Sequence, residues 1–83
     1  MWFVYVILCK DGSLYTGYSD DVEKRFLAHQ LGKGGKYTRS HGVIKIVYKE
    51  VFETKSQALK REKEIKGWSR ERKIKYFKLD DTI

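Results

Sequence analysis

The sequence contains few residues that could cross-link a small fold or bind a structural metal. Its single cysteine, Cys9, excludes an intramolecular disulfide and argues against a secreted scaffold stabilised by disulfides. One cysteine and two histidines also argue against a structural zinc site. The chain has no proline, and we find no internal repeat or low-complexity segment. This cysteine usage fits a reducing compartment best, so we expect a cytoplasmic protein.

Long hydrophobic segments are also missing. The longest apolar run extends only from Met1 to Cys9, whereas a membrane-spanning helix needs about 20 residues. No basic segment precedes this run, and Lys10 and Asp11 follow it without a small-residue cleavage site, so it lacks the features of a signal peptide. We therefore expect a mature, soluble protein that does not contact the membrane.

The composition is that of a small basic domain. The 83 residues suffice for one domain, which we expect to span residues 1–83. Hydrophobic residues make up 41% of the chain and aromatic residues 14%, which excludes a disordered protein. Eighteen Lys and Arg against eleven Asp and Glu give a net charge of +7, and the excess is concentrated in residues 55–78. Such a charge favours polyanionic partners, nucleic acid above all.

Hydrophobic patterning predicts an α+β fold with the order β-β-α-β-α-α. The predicted elements are a hairpin over residues 2–18, a helix over 20–31, a basic surface loop over 32–42, a strand over 43–52, and helices over 55–67 and 69–78. Because residues 2–9 are apolar on both faces, we expect the first strand to be central, with helices on either side. The fold is then a three-stranded, mostly antiparallel sheet flanked by helices.

Capping residues define the ends of the predicted helices. The N-cap candidates of the first helix are Ser19, Asp20 and Asp21, and Glu23 lies three residues after Asp20, in the position of a capping box. A second capping box is predicted for Thr54 and Gln57, and Ser69 is expected to cap the last helix.

The length of the hairpin loop decides where two tyrosines point. With a two-residue loop, Leu8 would pair with Tyr15, and Tyr5 and Tyr15 would lie on opposite faces of the sheet. With a three-residue loop and Gly12 in the left-handed conformation, Tyr5 would oppose Gly17, and both tyrosines would share a face. The second register leaves space for a substrate phosphate beside Tyr5. The sequence does not decide between them.

Three charged or titratable side chains fall where apolar residues are expected. Glu62 lies on the apolar stripe of its helix. It is either a residue at the rim of the core that pairs with a lysine, or a metal ligand or general base. Arg25 and His29 border the stripe of the first helix. Arg25 either pairs with a surface acid or binds a phosphate, in which case His29 would carry protons beside it.

The glycine-rich segment combines positive charge with an aromatic ring. Its candidate nucleic-acid-binding residues are Lys33, Lys36, Tyr37 and Arg39. Basic side chains bind backbone phosphates and an aromatic ring can stack on a base, although a run of charges is usually just a solvated face. We expect His41, in the same segment, to be exposed and to have no direct role.

Taken together, these residues resemble the GIY-YIG nuclease superfamily, in particular its small stand-alone bacterial members. The resemblance rests on Val4-Tyr5-Val6, Tyr15-Thr16-Gly17, Arg25 and His29 on the next helix, and Glu62 in Ala58-Leu59-Lys60-Arg61-Glu62. It covers nearly the whole chain. The sequence departs from the family pattern in lacking the glycine of the first motif and in having Thr16 in place of isoleucine in the second.

The resemblance implies a metal-dependent endonuclease, a hydrolase of phosphodiesters related to DNA-repair enzymes. Tyr5 and Tyr15 would line the cleft, Arg25 would hold the scissile phosphate and Glu62 would bind one divalent cation, usually Mg²⁺ with Mn²⁺ as an alternative. His29 matches a histidine of many members, and Lys36 matches a basic position of the glycine-rich loop. The expected substrate is structured, branched or single-stranded nucleic acid, with DNA favoured over RNA although the sequence does not decide between them, and with a partner protein as a source of specificity.

Elementary chemistry leaves the general base open. A free tyrosine titrates near a pKa of about 10, so a tyrosine base needs its pKa lowered by the metal, Arg25 or Lys36, or must pass its proton to His29. Either tyrosine could serve. The alternative functions are a non-catalytic nucleic-acid-binding module of the same fold and, with less support from the charge, a protein-interaction adaptor.

Overall fold

The computed structural model describes residues 1–80, so the last three residues of the predicted domain lie outside it. The elements are β1 (Trp2–Cys9), β2 (Leu14–Ser19), α1 (Val22–Gln30), α2 (Lys36–His41), β3 (Val43–Phe52), α3 (Lys55–Lys66) and α4 (Arg70–Tyr76). The strands form one antiparallel sheet in the order β2-β1-β3, with the apolar strand β1 at its centre. The predicted α+β fold is confirmed. Within residues 1–80, no helix is both long and apolar enough to cross a membrane.

The alternation of side chains along β1 separates two hydrophobic clusters. Val4 and Val6 point to the face covered by α3, where they belong to a cluster with Ala58 and Ile65. The opposite face carries a second cluster of buried residues, Tyr5, Ile7, Cys9 and Val22. Since both faces of β1 are covered, its continuous apolar run is explained by burial on two sides.

The hairpin adopts the register of the three-residue loop. The backbone N–H of Cys9 donates to the carbonyl of Ser13 at 2.8 Å, and Gly12 has a φ of +86°, the left-handed conformation that glycine tolerates best. Tyr5 therefore opposes Gly17, and Tyr15 opposes Ile7. Both tyrosines lie on the α1 side of the sheet.

The helix ends follow local capping chemistry with two corrections. Of the N-cap candidates of α1, Asp21 is the cap, because its side chain accepts the hydrogen bond from the Lys24 N–H at 3.1 Å, so the capping box predicted for Asp20 and Glu23 is wrong. Asp20 is left outside the helix. The last helix ends at Tyr76 rather than at residue 78, since Lys78 has a φ of +56°, outside helical geometry. The Thr54–Gln57 capping box forms with both of its hydrogen bonds, and Ser69 caps α4.

The largest correction concerns residues 32–42, which we predicted to be a loop. Residues Lys36–His41 form the short helix α2, which starts after Gly35 and ends at Gly42, where φ is +71°. The glycines thus lie at the ends of the helix instead of interrupting it. Thr38 anchors α2 in the interior with only 1% of its surface exposed.

Candidate active site

A pocket of about 320 Å³ opens beside the edge strand β2. It is lined by Trp2, Tyr5, Tyr15, Gly17, Tyr18, Ser19, Asp20, Arg25 and Glu62. The hairpin contributes both tyrosines, α1 contributes the arginine and α3 contributes the glutamate. Four of the residues singled out in the sequence therefore meet in one cavity.

The close approach of Tyr5 to Gly17 shapes this pocket. A Cβ atom at position 17 would lie 2.5 Å from the Tyr5 hydroxyl oxygen and 2.6 Å from the ring carbon that bears it. Real Cβ atoms essentially never make contacts this short, so glycine at position 17 lets the Tyr5 ring lie across β2. Tyr5 is 1% exposed as a residue, yet its side chain lines the pocket.

Behind Tyr5, a buried histidine is hydrogen-bonded through both ring nitrogens. His29 Nε2 lies 3.0 Å from the Tyr5 hydroxyl, and His29 Nδ1 lies 2.7 Å from the Thr38 hydroxyl. The ring centroid of Tyr15 is 5.2 Å from that of His29, in an edge-to-face arrangement. The sequence analysis missed Thr38, because nothing in its spacing distinguishes it from other polar residues of the glycine-rich segment.

Burial sets the protonation of this pair. Desolvation raises the pKa of Tyr5 to about 12, although the guanidinium of Arg25 opposes part of the increase. Desolvation also lowers the pKa of His29 below its usual value, and the positive charge of Arg25 acts in the same direction. At neutral pH, Tyr5 is therefore a protonated phenol and His29 a neutral imidazole. The phenol can donate a hydrogen bond that the imidazole accepts.

Arg25 is fixed at one end and lines the pocket with the rest of its side chain. Its Nη2 atom donates to the carbonyl oxygen of Gly34 at 2.7 Å. It forms no ion pair with any residue in the described range 1–80. Arg25 thus does not pair with a surface acid among these residues. The N–H donors of its guanidinium that are not bonded to Gly34 match the geometry of a phosphate.

The structure of Glu62 fits both of its predicted roles, as a residue paired with a lysine and as a carboxylate of the pocket. Glu62 is only 8% exposed, its side chain lines the pocket, and its Oε2 atom forms an ion pair with Lys66 Nζ at 3.1 Å. Lys66 Nζ also lies 6.0 Å from the ring centroid of Tyr15. The carboxylate is therefore paired with a lysine and at the same time available to the pocket.

The acidic groups of the pocket are sparse. Asp20, displaced from the cap of α1, is a second carboxylate on the pocket wall, although it is exposed. No group of three or more His, Cys, Asp or Glu side chains within residues 1–80 is arranged to hold a metal ion. A donor set of one or two carboxylates suits Mg²⁺, which usually keeps several waters and takes further ligands from substrate phosphates.

The predicted nucleic-acid-binding residues of the glycine-rich segment lie outside the pocket lining. Lys33, Lys36 and Arg39 are exposed on and around α2. Tyr37, 40% exposed, stacks on Tyr15 at a centroid distance of 5.8 Å and so extends from the pocket wall towards solvent.

His41 continues this stack beyond Tyr37. Its ring lies 4.0 Å from that of Tyr37 and is nearly parallel to it. Its Nδ1 atom donates to the carbonyl of Tyr37 at 2.7 Å, and its Nε2 atom lies 3.6 Å from a carboxylate oxygen of Asp11. The expectation that His41 is merely exposed therefore missed its place in an aromatic stack.

Two tyrosines of the hairpin, an arginine on α1 and a buried glutamate on α3 line one pocket beside the sheet. This arrangement is that of a nuclease-like α+β domain. Comparison with known proteins agrees with this class. Residues 1–75 match the GIY-YIG catalytic domain, so the chain belongs to the GIY-YIG family. The resemblance seen in the sequence is confirmed.

Similar proteins are small bacterial chains of nearly the same length. The UPF0213 protein SSP2268 of Staphylococcus saprophyticus is 55% identical over 73 residues, covering 88% of this chain and 89% of its own. The solution structure of the UPF0213 protein BH0048 of Bacillus halodurans is 43% identical, with a TM-score of 0.60 over 96% of this chain and 86% of that one. The structure of EF2693 from E. faecalis is 40% identical, with a TM-score of 0.61 over 98% and 86%.

Proposed function

We propose that this protein is a metal-dependent endonuclease that hydrolyses phosphodiester bonds in DNA. The observation that carries the proposal is the convergence of Tyr5, Tyr15, Arg25 and Glu62 on one pocket, since these four side chains come from four separate elements, β1, β2, α1 and α3. Phosphodiester hydrolysis needs an activated water, stabilisation of phosphoryl charge and assistance to the leaving alkoxide. The pocket offers a group for each of these tasks.

Arg25 holds the phosphate in this proposal. Its attachment to the Gly34 carbonyl fixes one edge of the guanidinium, so the remaining donors are oriented before substrate binds. Preorganised donors in a partly buried pocket stabilise developing charge more effectively than mobile ones. A lysine at this position would lose the planar fork that matches two phosphate oxygens.

The Tyr5–His29 pair supplies the base. Tyr5 is protonated at neutral pH and cannot accept a proton unless it gives up its own. Its hydroxyl donates to neutral His29 Nε2, while the proton on Nδ1 is donated to Thr38. When the attacking water loses its proton to the Tyr5 oxygen, the phenolic proton passes to His29, and the imidazolium is held by its two hydrogen bonds.

Glu62 would hold the metal, with Mg²⁺ as the physiological ion and Mn²⁺ as a substitute. When bound, such a cation would stabilise negative charge on the phosphoryl and leaving oxygens. Lys66 shares the Glu62 carboxylate, so the lysine must turn away or share the site, and its half-exposed side chain is free to do so. The hydroxyl of Tyr15, which lines the same pocket, would position the water or the phosphate.

The substrate we propose is structured, branched or single-stranded DNA in the cytoplasm, within DNA repair, with a partner protein adding specificity. The second candidate function is a nucleic-acid-binding module without turnover. It is favoured by one observation, the Lys66–Glu62 ion pair at 3.1 Å, which neutralises the carboxylate.

The test is cleavage of labelled single-stranded, flap and four-way-junction DNA at low salt, with Mg²⁺ or with chelator. Glu62→Gln should lower the cleavage rate at least about 100-fold, because it removes the charge that holds the cation. Binding should persist, since phosphate affinity comes mainly from the basic surface. The matched control is Glu64→Gln, on the same helix but 52% exposed and paired with Arg61. Binding without cleavage by the unmodified protein on every substrate would favour the binding module.

A further inference from the structure

One end of the pocket is formed by two aromatic rings that the proposed chemistry does not use. Trp2, at the start of β1, and Tyr18, near the end of β2, both line the pocket together with Glu62. Their ring centroids are 6.3 Å apart at an angle of 38°. Each ring packs partly against the α3 side of the core and remains partly exposed. The pair therefore forms an aromatic wall open to the cavity.

A lysine lies over this wall. Lys55, the first residue of α3, places its Nζ atom 5.4 Å from the Trp2 ring centroid. Lys55, Glu62 and Lys66 are seven and four residues apart, spacings that put them on one face of α3. The carboxylate is thus flanked along the helix by two lysines, Lys55 beside Trp2 and Lys66 beside Tyr15.

The aromatic wall and the two lysines together have the chemistry of a binding site for single-stranded nucleic acid. Lysines along a groove follow the phosphates, and aromatic faces accept bases without regard to sequence because every base has a π-face. Trp2 and Tyr18 can accept a base only if that base has left its own stack, since bases within a duplex have both faces covered. The aromatic wall therefore selects an unpaired base.

We propose that Trp2 and Tyr18 form a stacking subsite for the unpaired base adjoining the phosphate held at Arg25 and Glu62, with Lys55 on the neighbouring backbone phosphate. The inference rests on the proposed function and refines it. It makes single-stranded nucleic acid, or an unpaired end of a structured one, the preferred ligand over duplex. Tyr15, which also lines the pocket, stacks on Tyr37 at a centroid distance of 5.8 Å and offers a second aromatic surface to the same nucleic-acid strand.

Tryptophan fluorescence tests the subsite without any cleavage. The protein has two tryptophans, and Trp68 lies on the α4 side against Arg72 and Tyr76. In the Trp68→Phe variant, Trp2 is the only tryptophan, and we expect its emission to be quenched saturably by a single-stranded oligonucleotide in chelator. A blunt duplex of the same sequence should bind without that quenching. In the converse variant, Trp2→Phe, the emission of Trp68 should stay unchanged.

Affinity provides the second measurement. Trp2→Leu keeps an apolar side chain but removes the stacking face, so single-strand affinity should fall by about 10-fold or more while duplex affinity stays the same. Circular dichroism and thermal unfolding check that this variant is folded. If it is not, the quenching of Trp2 in the Trp68→Phe protein still decides the question. Binding of single strands with unchanged Trp2 emission, or equal affinity of Trp2→Leu and the unmodified protein, would overturn the subsite.

The outcomes separate this inference from the proposed function. Mg²⁺-dependent cleavage without any change in Trp2 emission would refute the subsite and support the proposed nuclease activity. Quenching of Trp2 and preference for single strands, with no cleavage under any condition, would support the subsite in a protein that only binds. No binding of any oligonucleotide at low salt would refute both.

Discussion

Replacing Gly17 by alanine is the sharpest test of how the pocket is built. The added Cβ would lie 2.5 Å from the Tyr5 hydroxyl oxygen, whereas ordinary contact begins at 3.4 Å. Tyr5 must therefore retreat by roughly 0.9 Å, and the hydroxyl is held at 3.0 Å from His29 Nε2, so a shift of this size breaks that hydrogen bond or withdraws the group from the pocket.

The substitution is expected to lower both the rate of cleavage and the stability of the fold. A displacement of about 1 Å in a catalytic group costs on the order of 100-fold in rate, equivalent to about 2.7 kcal/mol of transition-state stabilisation. Crowding a packed ring costs about 1 to 3 kcal/mol of the free energy of unfolding. Gly17 does not have a positive φ, so the substitution adds no backbone strain of that kind.

The assay is the initial rate of cleavage of a labelled single-stranded substrate with Mg²⁺, at a temperature where circular dichroism shows the variant folded. Gly67→Ala is the matched control, because Gly67 has an ordinary φ of −78° and its added Cβ would meet nothing closer than 3.4 Å. A folded Gly17→Ala protein that cleaves as fast as Gly67→Ala would refute the reasoning, since Tyr5 could then move without consequence.

Three further predictions concern hydrogen-bonded polar side chains. Thr38→Val should lower the free energy of unfolding by about 1 to 3 kcal/mol in urea titrations, because His29 Nδ1 loses its partner, and Thr38→Ser should restore most of the loss. Because the pKa of folded His29 lies below 6.5, the unfolded chain takes up the proton first, so stability should fall as the pH decreases through 6.5 towards the folded pKa. His29→Gln should flatten that slope in thermal unfolding, and a pH slope equal to that of the unmodified protein would contradict the assignment. Arg61→Lys should cost about 1 to 2 kcal/mol by loss of its fork of hydrogen bonds to Glu50 and Tyr76, with unchanged cleavage of single strands. Reduced cleavage by a folded Arg61→Lys protein would contradict its purely structural role.

The parts of the fold that were predictable depend on local chemistry. The Thr54–Gln57 capping box and the strand β1 are each predictable from a few neighbouring residues. The hairpin register needed tertiary information, because both loop lengths satisfy the local pattern and only the packing of Tyr5 across Gly17 separates them. Of the candidate site, the sequence indicated four side chains that line the pocket and His29 behind Tyr5, but not the remaining lining residues or the partner of His29.

The residues of the site that the sequence did not indicate were missed for a physical reason. Thr38 acts through a hydrogen bond to a residue on another helix, and no periodicity encodes such a contact. Asp20 and Asp21 are equivalent capping candidates in sequence, yet only Asp21 accepts from the helix. Trp2 was assigned to a core strand, which is correct, but its position at the end of that strand leaves part of the ring facing the pocket.

The glycine-rich segment shows how composition can hide a structural role. A Cβ on Gly34 would collide with the imidazole ring of His29, and the Gly34 carbonyl is the acceptor for Arg25. Thr38, on the helix that follows, completes the hydrogen bonding of His29. One short segment therefore fixes both polar side chains that α1 brings to the site. Catalytic groups are effective when they are oriented before the substrate arrives, so glycine here provides close packing around the site rather than flexibility.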